Sequence, residues 1–364
     1  MSFLSFAEPD ELQAPQEELF ELCEKVELLP APNRNSHFNE YLGRLANLFM
    51  LSPYAPRRFK SEMMARALRK ALSENHFQAI ICDEIYLATN LPKDLSVPIL
   101  LSKQDLTYEI MARYLETESN LAKRLYGFVE YKKVRRMELN ECNSARAVLA
   151  CSARDRGVIQ SVCPGASVHV LPNVVDTDDY APARDPGGDC VLFVGSLDWL
   201  PNRDAIDYFI SDIFPRLRQM HPGVRFVVAG RLPPPSFRAR LTGIPDVELH
   251  ADVPDIRTLI EQAAVCIVPL RIGSGTRMKI LEAAAMAKPI VSTRLGAEGL
   301  DFVEHQEIVL EDEPLEFAKA VSMLMKDASR RREMGQAARA RVERQYGIAT
   351  LCSAWRDILL AGGK

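Results

Sequence analysis

Residues 267–293 read IVPLRIGSGTRMKILEAAAMAKPIVST, and this stretch decides the fold. A short apolar run ends at Pro269, a loop with Gly273 and Gly275 follows, and a helical pattern opens at Thr276. A second apolar run, Ile290 to Thr293, begins after Lys288-Pro289. Strand, glycine loop, helix and strand in that order make the unit of a parallel sheet. Glycines at such a junction let the backbone approach a ligand closely, and the exposed N–H groups of a helix start attract phosphate. At roughly 100° per residue, Ile280, Leu281, Ala284 and Ala285 fall on one arc of the helix, with Lys279 and Glu282 about 60° apart on another. The first arc is expected in the core. The second offers a cation to a diphosphate and, three residues on, a carboxylate to the vicinal hydroxyls of a ribose. A plain surface ion pair is the competing reading.

The same alternation runs outward in both directions. Downstream of residue 190 the expected strands are Val191 to Val194, Arg225 to Ala229, Val247 to His250, Val265 to Pro269 and Ile290 to Thr293. Helices are expected over Arg203 to Met220, Asp255 to Ala263 and Thr276 to Met286, then Leu315 to Lys326, Ser329 to Gln345 and Ile348 to Leu360. Upstream, strands are expected at Ser2 to Phe6, Ala79 to Cys82, Val97 to Leu101, Ala147 to Cys151 and Val168 to Leu171. Helices over Phe59 to Asn75, Asp105 to Glu118 and Leu121 to Cys142 lie between them. LPNVVD (171–176) closes this first series, and YAPARDPGGD (180–189) is a Pro/Gly/Asp-rich linker. Two consecutive doubly wound units are the economical interpretation, with ligands expected beyond the carboxyl ends of the strands.

The chain has 364 residues, 47% hydrophobic and 26% charged, enough for two buried cores and unlike collagen-like, disordered or disulfide-framework proteins. A net charge of -4 gives no basic field for nucleic acid, and the arginine-rich stretch 329–347 reads as a solvated helix face. The eight cysteines show no C-x-x-C pair and several sit in apolar runs, so buried reduced thiols and a reducing, cytoplasmic compartment are expected. No run approaches the ~20 apolar residues of a membrane span. The six histidines form no cluster, and DTDD (176–179) reads as a solvated loop; no metal ligand is assigned.

FVGSLDWLPNRDAIDYF (193–209), VVAGR (227–231), PLRIGSGTRMKILEAAAMAKPIVST (269–293), GAEGL (296–300) and LPNVVD (171–176) together make the chain recognisable. It resembles the GT-B glycosyltransferases of the family-four retaining group, particularly a bacterial branch associated with exopolysaccharide synthesis. The resemblance implies an α/β fold of two doubly wound Rossmann-like domains facing a central cleft. Residues 1–172 would be the acceptor-side domain and 173–347 the donor domain, with the helix 348–361 packing back on the first. It also implies a nucleotide-diphosphate sugar donor, a glycan or lipid-linked acceptor, and retention of configuration with no cofactor, metal or protein nucleophile. Such an enzyme would work in the cytoplasm, at the inner membrane face when its acceptor is a lipid.

By this resemblance Glu282 binds the donor ribose. Ser274 stands where the family carries a first glutamate, so backbone N–H groups around Gly275 and Thr276 are expected at the donor sugar. The Arg and Lys of the family's first loop are missing after Gly195 and Ser196, which leaves Arg277 and Lys279 as the expected holders of the diphosphate. Gly195, Ser196 and Arg231 are expected to line the same site. In the first half, Gln104 in SKQDLTYE (102–109) stands where family members often place a cleft-facing histidine. Related chains begin with a further strand and a glycine-rich loop, so this chain reads as starting one strand late. The region Phe38 to Lys70 mixes Leu45, Leu48, Phe49 and Met50 with Arg44, Arg57, Arg58, Lys60, Arg66 and Arg69. Peripheral membrane contact is one reading of it and a helix packed on the sheet the other. Two further functional readings are a weakly catalytic scaffold that binds a nucleotide sugar and a sugar-nucleotide epimerase of the same architecture.

Overall fold

A computed structural model describes residues 1–8, 11–12, 17–32, 43–44, 46–92 and 94–362. Contacts divide the chain into two units, Met1–Ala150 with Gly157–His169, and Cys151–Arg156 with Val170–Lys364.

In the first unit, β1 (Ser2–Ala7) pairs in parallel with β2 (Lys25–Pro30), joined through α1 (Glu17–Leu22). After α2 (Tyr54–Arg58) and α3 (Glu62–Glu74), a four-stranded sheet runs in the order β3-β4-β5-β6 (Ile80–Asp83, Ile99–Lys103, Ala147–Ala150, Val168–Val170). Ser61 caps α3, its hydroxyl accepting from Met64 N–H at 3.3 Å, as a short polar residue before a helical run should. The other helices are α4 (Ile85–Ala88), α5 (Thr107–Thr117) and α6 (Leu121–Ser144), with α7 (Ala153–Val162) divided between the two units at Arg156. Of the region 38–70, residues 38–42 and 45 lie outside the described residues.

The second unit opens with β7 (Cys190–Val194), α8 (Leu200–Tyr208), a π-helical turn (Phe209–Ile213) and α9 (Phe214–Met220). Then follow β8 (Arg225–Gly230), α10 (Pro235–Leu241), β9 (Val247–Ala251), α11 (Arg257–Gln262), β10 (Val265–Val268), α12 (Met278–Ala285), β11 (Ile290–Ser292) and β12 (Val309–Leu310). Helices α13 (Pro314–Lys326), α14 (Ala328–Gln345) and α15 (Ile348–Gly362) end the chain. The sheet order β12-β11-β10-β7-β8-β9 places the first strand of the unit between the halves of a doubly wound sheet. Strands β7, β8 and β10 are nearly continuous apolar runs because helices cover both faces. Phe193, Phe209, Phe226 and Phe317 are fully buried there, with the Phe209 and Phe226 ring centroids 4.4 Å apart. The order reverses between β7 and β10, so a crevice is expected where their following loops diverge.

Several details depart from the sequence expectations, among them α1, α4, α7 and α10, which were not anticipated, and α3, which starts at Glu62 rather than Phe59. The helix expected over Arg203 to Met220 is interrupted by the π-helical turn, which ends two residues before Pro215. Proline has no N–H to continue the ladder and its ring crowds the preceding turn, so the helix must widen or break there. The helix expected at Thr276 starts at Met278, because Arg277 holds extended backbone (φ -100°, ψ 100°) as its N-cap. Strand β2 and the two-residue β12 were not anticipated, being too short or too weakly alternating to stand out. All eight cysteines are free, and seven are buried; Cys352 is exposed. Among the described residues no helix is long and apolar enough to cross a membrane.

Candidate functional site

In the second unit, the loops after β7, β8 and β10 meet α8 and α12. Gly195 N–H donates to the Ala229 carbonyl at 3.0 Å, and Leu197 N–H to the Arg231 carbonyl at 2.8 Å, which brings the loops after β7 and β8 together. The approach leaves no room for side chains. A Cβ on Gly230 would fall 1.9 Å from the Gly195 carbonyl oxygen, and one on Gly195 would fall 2.7 Å from Lys279 Nζ and 2.8 Å from Asn202 Nδ2. Gly195 therefore leaves the space beside which a lysine ammonium is held.

Asn202, buried on α8, fixes that lysine. Its Nδ2 donates to the Ser196 carbonyl at 2.8 Å, and its Oδ1 accepts from Lys279 Nζ at 2.8 Å. The ammonium also lies 4.1 Å from the centroid of the Phe193 ring. Lys279 is half-buried as a residue, with its charged end desolvated. Burial, reinforced by the neighbouring Arg277 charge and opposed by Glu282, pulls its pKa down to about 7. A cation held in this way gains from any diphosphate brought beside it. Sequence reading missed Asn202, although its place on the first turn after the glycine loop in SLDWLPN was the available signal.

Glu282, one turn along α12, is half-buried and accepts from the Tyr180 hydroxyl at 3.4 Å. Burial raises its carboxyl above the usual range, against the Tyr180 hydrogen bond and the Lys279 charge. Lys279 is bonded to Asn202, so the i,i+3 ion-pair reading of Lys279 and Glu282 does not describe this face.

The loop before α12 is shaped by Gly273 (φ 147°) and Gly275 (φ 73°), conformations that side chains resist. Arg277 is buried, and its Nη1 donates to the carbonyls of Ser274 and Gly275. The guanidinium thus braces the loop from beneath. Ser274 is buried, and the Thr276 hydroxyl accepts from Asn173 Nδ2 at 2.8 Å. Ser196 donates to Asp198 Oδ1 at 2.8 Å, while Arg231 is exposed after β8. The structure therefore gathers Gly195, Lys279 and Asn202 in one cradle and puts Glu282 one helical turn beyond it. Asp176 of DTDD accepts from the N–H groups of Asp178 and Asp179, which closes a turn.

The first unit has its own polar cluster at the carboxyl ends of β3 and β4. Lys103 and Glu138 form a buried pair at 2.8 Å, and Glu138 also accepts from Thr107 N–H at 3.2 Å and Tyr108 N–H at 2.8 Å. Gln104 donates its N–H to Glu84 Oε1 at 3.3 Å and its Nε2 to Ser102 Oγ at 3.3 Å. Glu84 has φ 67°, unusual for a residue with a side chain, and burial lifts its pKa to about 7 against the pull of Lys103. Nothing in the local sequence singles out Glu84, because its environment comes from the neighbouring strand.

Residues 188–327 match the family model described as Glycosyl transferases group 1. The chain is 25% identical over 208 residues to a phosphatidylinositol N-acetylglucosaminyltransferase component of Arabidopsis thaliana, covering 54% of this chain and 46% of that protein. It spans about half the length of that relative or less, as it does for the human protein of the same name. Among solved structures, the sucrose-phosphate synthase of Thermosynechococcus elongatus superposes with a TM-score of 0.71 at 15% identity, covering 99% of both chains. HepE of Anabaena, in complex with UDP-glucose, superposes with a TM-score of 0.66 at 14% identity over 99% of this chain and 100% of its own. The chain thus has the α/β fold of the GT-B glycosyltransferases, two Rossmann-like domains, and residues 188–327 of its second unit are similar to glycosyl transferases group 1.

Proposed function

We propose that the protein is a retaining glycosyltransferase that moves a sugar from a nucleotide-diphosphate donor to a hydroxyl of a glycan or lipid-linked acceptor, in polysaccharide synthesis on the cytoplasmic side. The observation that carries this is the cradle of Gly195, Asn202 and Lys279: a desolvated ammonium beside a space that only glycine leaves open. In the transfer, the bond from the anomeric carbon to the donor phosphate oxygen breaks and a bond to the acceptor oxygen forms on the same face. The acceptor's proton passes to the leaving phosphate. Charge developing on that phosphate is met by Lys279 and by backbone N–H groups of the 273–276 loop, where it is worth most because the site is desolvated. In this reading Glu282 accepts from the ribose hydroxyls. Arg277 serves by holding the loop in shape.

UDP-sugars are the first donors to try, since HepE was solved with UDP-glucose. The test incubates the protein with UDP-, GDP- and ADP-sugars, with and without membrane lipid extract, and follows nucleotide release and the anomeric configuration of the product. Acceptor-dependent release with retained configuration, unchanged by a chelator, is the expected result. Ser274 in place of a carboxylate and the inward turn of Arg277 favour a second reading, a nucleotide-sugar-binding scaffold. Tight binding with no turnover in any combination would establish that reading and end the first.

A further inference from the structure

A cavity of about 400 Å³ lies at the exit of α12 and shares no residue with the cradle. Its walls are the linker from Pro182 to Asp185, the turn from Ala287 to Pro289 with Ala264 ahead of β10, and one face of α14. That volume is within the range of small-molecule sites. The walls are fixed to one another. Ala183 N–H donates to the Met286 carbonyl at 3.1 Å, and Lys288 Nζ donates to the Arg184 carbonyl at 3.2 Å. On the other side α14 packs so closely that a Cβ on Gly335 would fall 1.9 Å from the Ala287 carbonyl oxygen. A cavity between braced segments is preorganised for what enters it.

The lining carries the cations Arg184, Lys288, Arg331 and Arg332 against the single carboxylate of Asp185. That carboxylate is already engaged. Arg331 grips it with Nε at 3.0 Å and Nη2 at 2.8 Å, while its Nη1 donates to the carbonyls of Leu324 and Met325 at 2.7 Å each. Lys288 is buried and spends its donors on three carbonyls, which satisfy hydrogen bonds without cancelling the charge. Among the described residues the guanidinium groups of Arg184 and Arg332 have no partner. An excess of cations, two of them free planar forks, suits a phosphate dianion. The rest of the lining is different in kind: Pro182, Pro289 and Ala264 are apolar, and the Gln336 amide can both donate and accept.

We propose that this cavity binds a small phosphate monoester with a hydroxylated body. Arg184 and Arg332 hold the phosphate in the field of the buried Lys288, and the body rests on the proline wall with its hydroxyls on Gln336. The full chain is titrated calorimetrically with glucose 1-phosphate, inorganic phosphate and glucose. Glucose 1-phosphate is expected to bind more tightly than inorganic phosphate, and glucose not at all. Arg184→Gln with Arg332→Gln should weaken glucose 1-phosphate at least about tenfold with the unfolding midpoint unchanged, since neither side chain holds the fold. Gln336→Leu should weaken glucose 1-phosphate and leave inorganic phosphate unaltered. Lys279→Met, which tests the donor cradle, should leave this binding as it is, so the site stands or falls apart from the transfer reaction. Glucose 1-phosphate binding that survives the arginine pair, or is no tighter than that of inorganic phosphate, overturns the proposal. Loss of binding in Lys279→Met alone does so too, by assigning the ligand to the cradle.

Discussion

On the proposed function Lys279 is the residue on which the donor chemistry turns, and its depressed pKa gives it a measurable pH signature. With a value of about 7, the lysine is about half neutral in the free protein near neutrality, and a bound diphosphate would draw the proton back. Donor affinity is therefore expected to be highest below pH 7 and to fall as pH rises above it, up to the higher pKa of the complex. Titration calorimetry in two buffers of different ionisation heat should show proton uptake on binding above pH 7. Lys279→Met should abolish that uptake and weaken donor binding on the order of a hundredfold, the scale of a lost charge-assisted contact; unaltered uptake would remove Lys279 from the site. Stability follows the same linkage. The unfolded chain holds the proton up to the ordinary lysine value of 10.5, so this group's contribution to stability rises with pH between about 7 and 10.5. The glycine pair is a different kind of residue effect. Gly230→Ala puts a methyl 1.9 Å from the Gly195 oxygen, so the two loops must part. A stability loss of about 1–3 kcal/mol is expected, with weaker donor binding, read from denaturant midpoints and donor titration.

At the scale of elements, α12 is effective because both its ends are fixed. Its entry is set by Arg277 under the 273–276 loop. Its exit is set by the buried Lys288, whose Nζ donates to the carbonyls of Arg184 at 3.2 Å, Glu261 at 2.7 Å and Ala263 at 3.2 Å. This one side chain ties the linker, the end of α11 and the turn before β11. Burial lowers its pKa, yet three carbonyl acceptors keep its donors employed. Lys288→Met would leave those acceptors to find water or nothing, and a loss of about 3 kcal/mol is expected in chemical unfolding. The sequence showed the helix and its apolar arc plainly, since Ile280, Leu281, Ala284 and Ala285 are all buried. It did not show what Lys288 does. Its three acceptors lie on segments remote from α12, and a lysine before a proline looks like any surface turn.

For the whole molecule, the division into two units makes a calorimetric prediction. Two unfolding transitions are expected, and a nucleotide diphosphate at about a hundred times its Kd should stabilise one of them by about 2.7 kcal/mol, since the cradle belongs to the second unit alone. A shift of both transitions by equal amounts would show that the units unfold as one. Much of the architecture was legible beforehand, because strand and helix periods are local properties of a chain: the runs VLFV, FVVA and VCIV announce strands buried on both faces whatever they pack against. The glycine loop and the positions of Lys279 and Glu282 on α12 were legible for the same reason. Partnership was not. Lys279 meets Asn202 across 77 residues, and Tyr180 meets Glu282 across 102. Arg277, outwardly the equal of Lys279 two positions away, turns beneath its own loop. The sequence by itself determined the order of elements and the kinds of side chain available near the crevice. Only the tertiary structure decided which cation is desolvated and poised and which is a brace, because desolvation and hydrogen-bond partnership arise from segments that meet in space after folding.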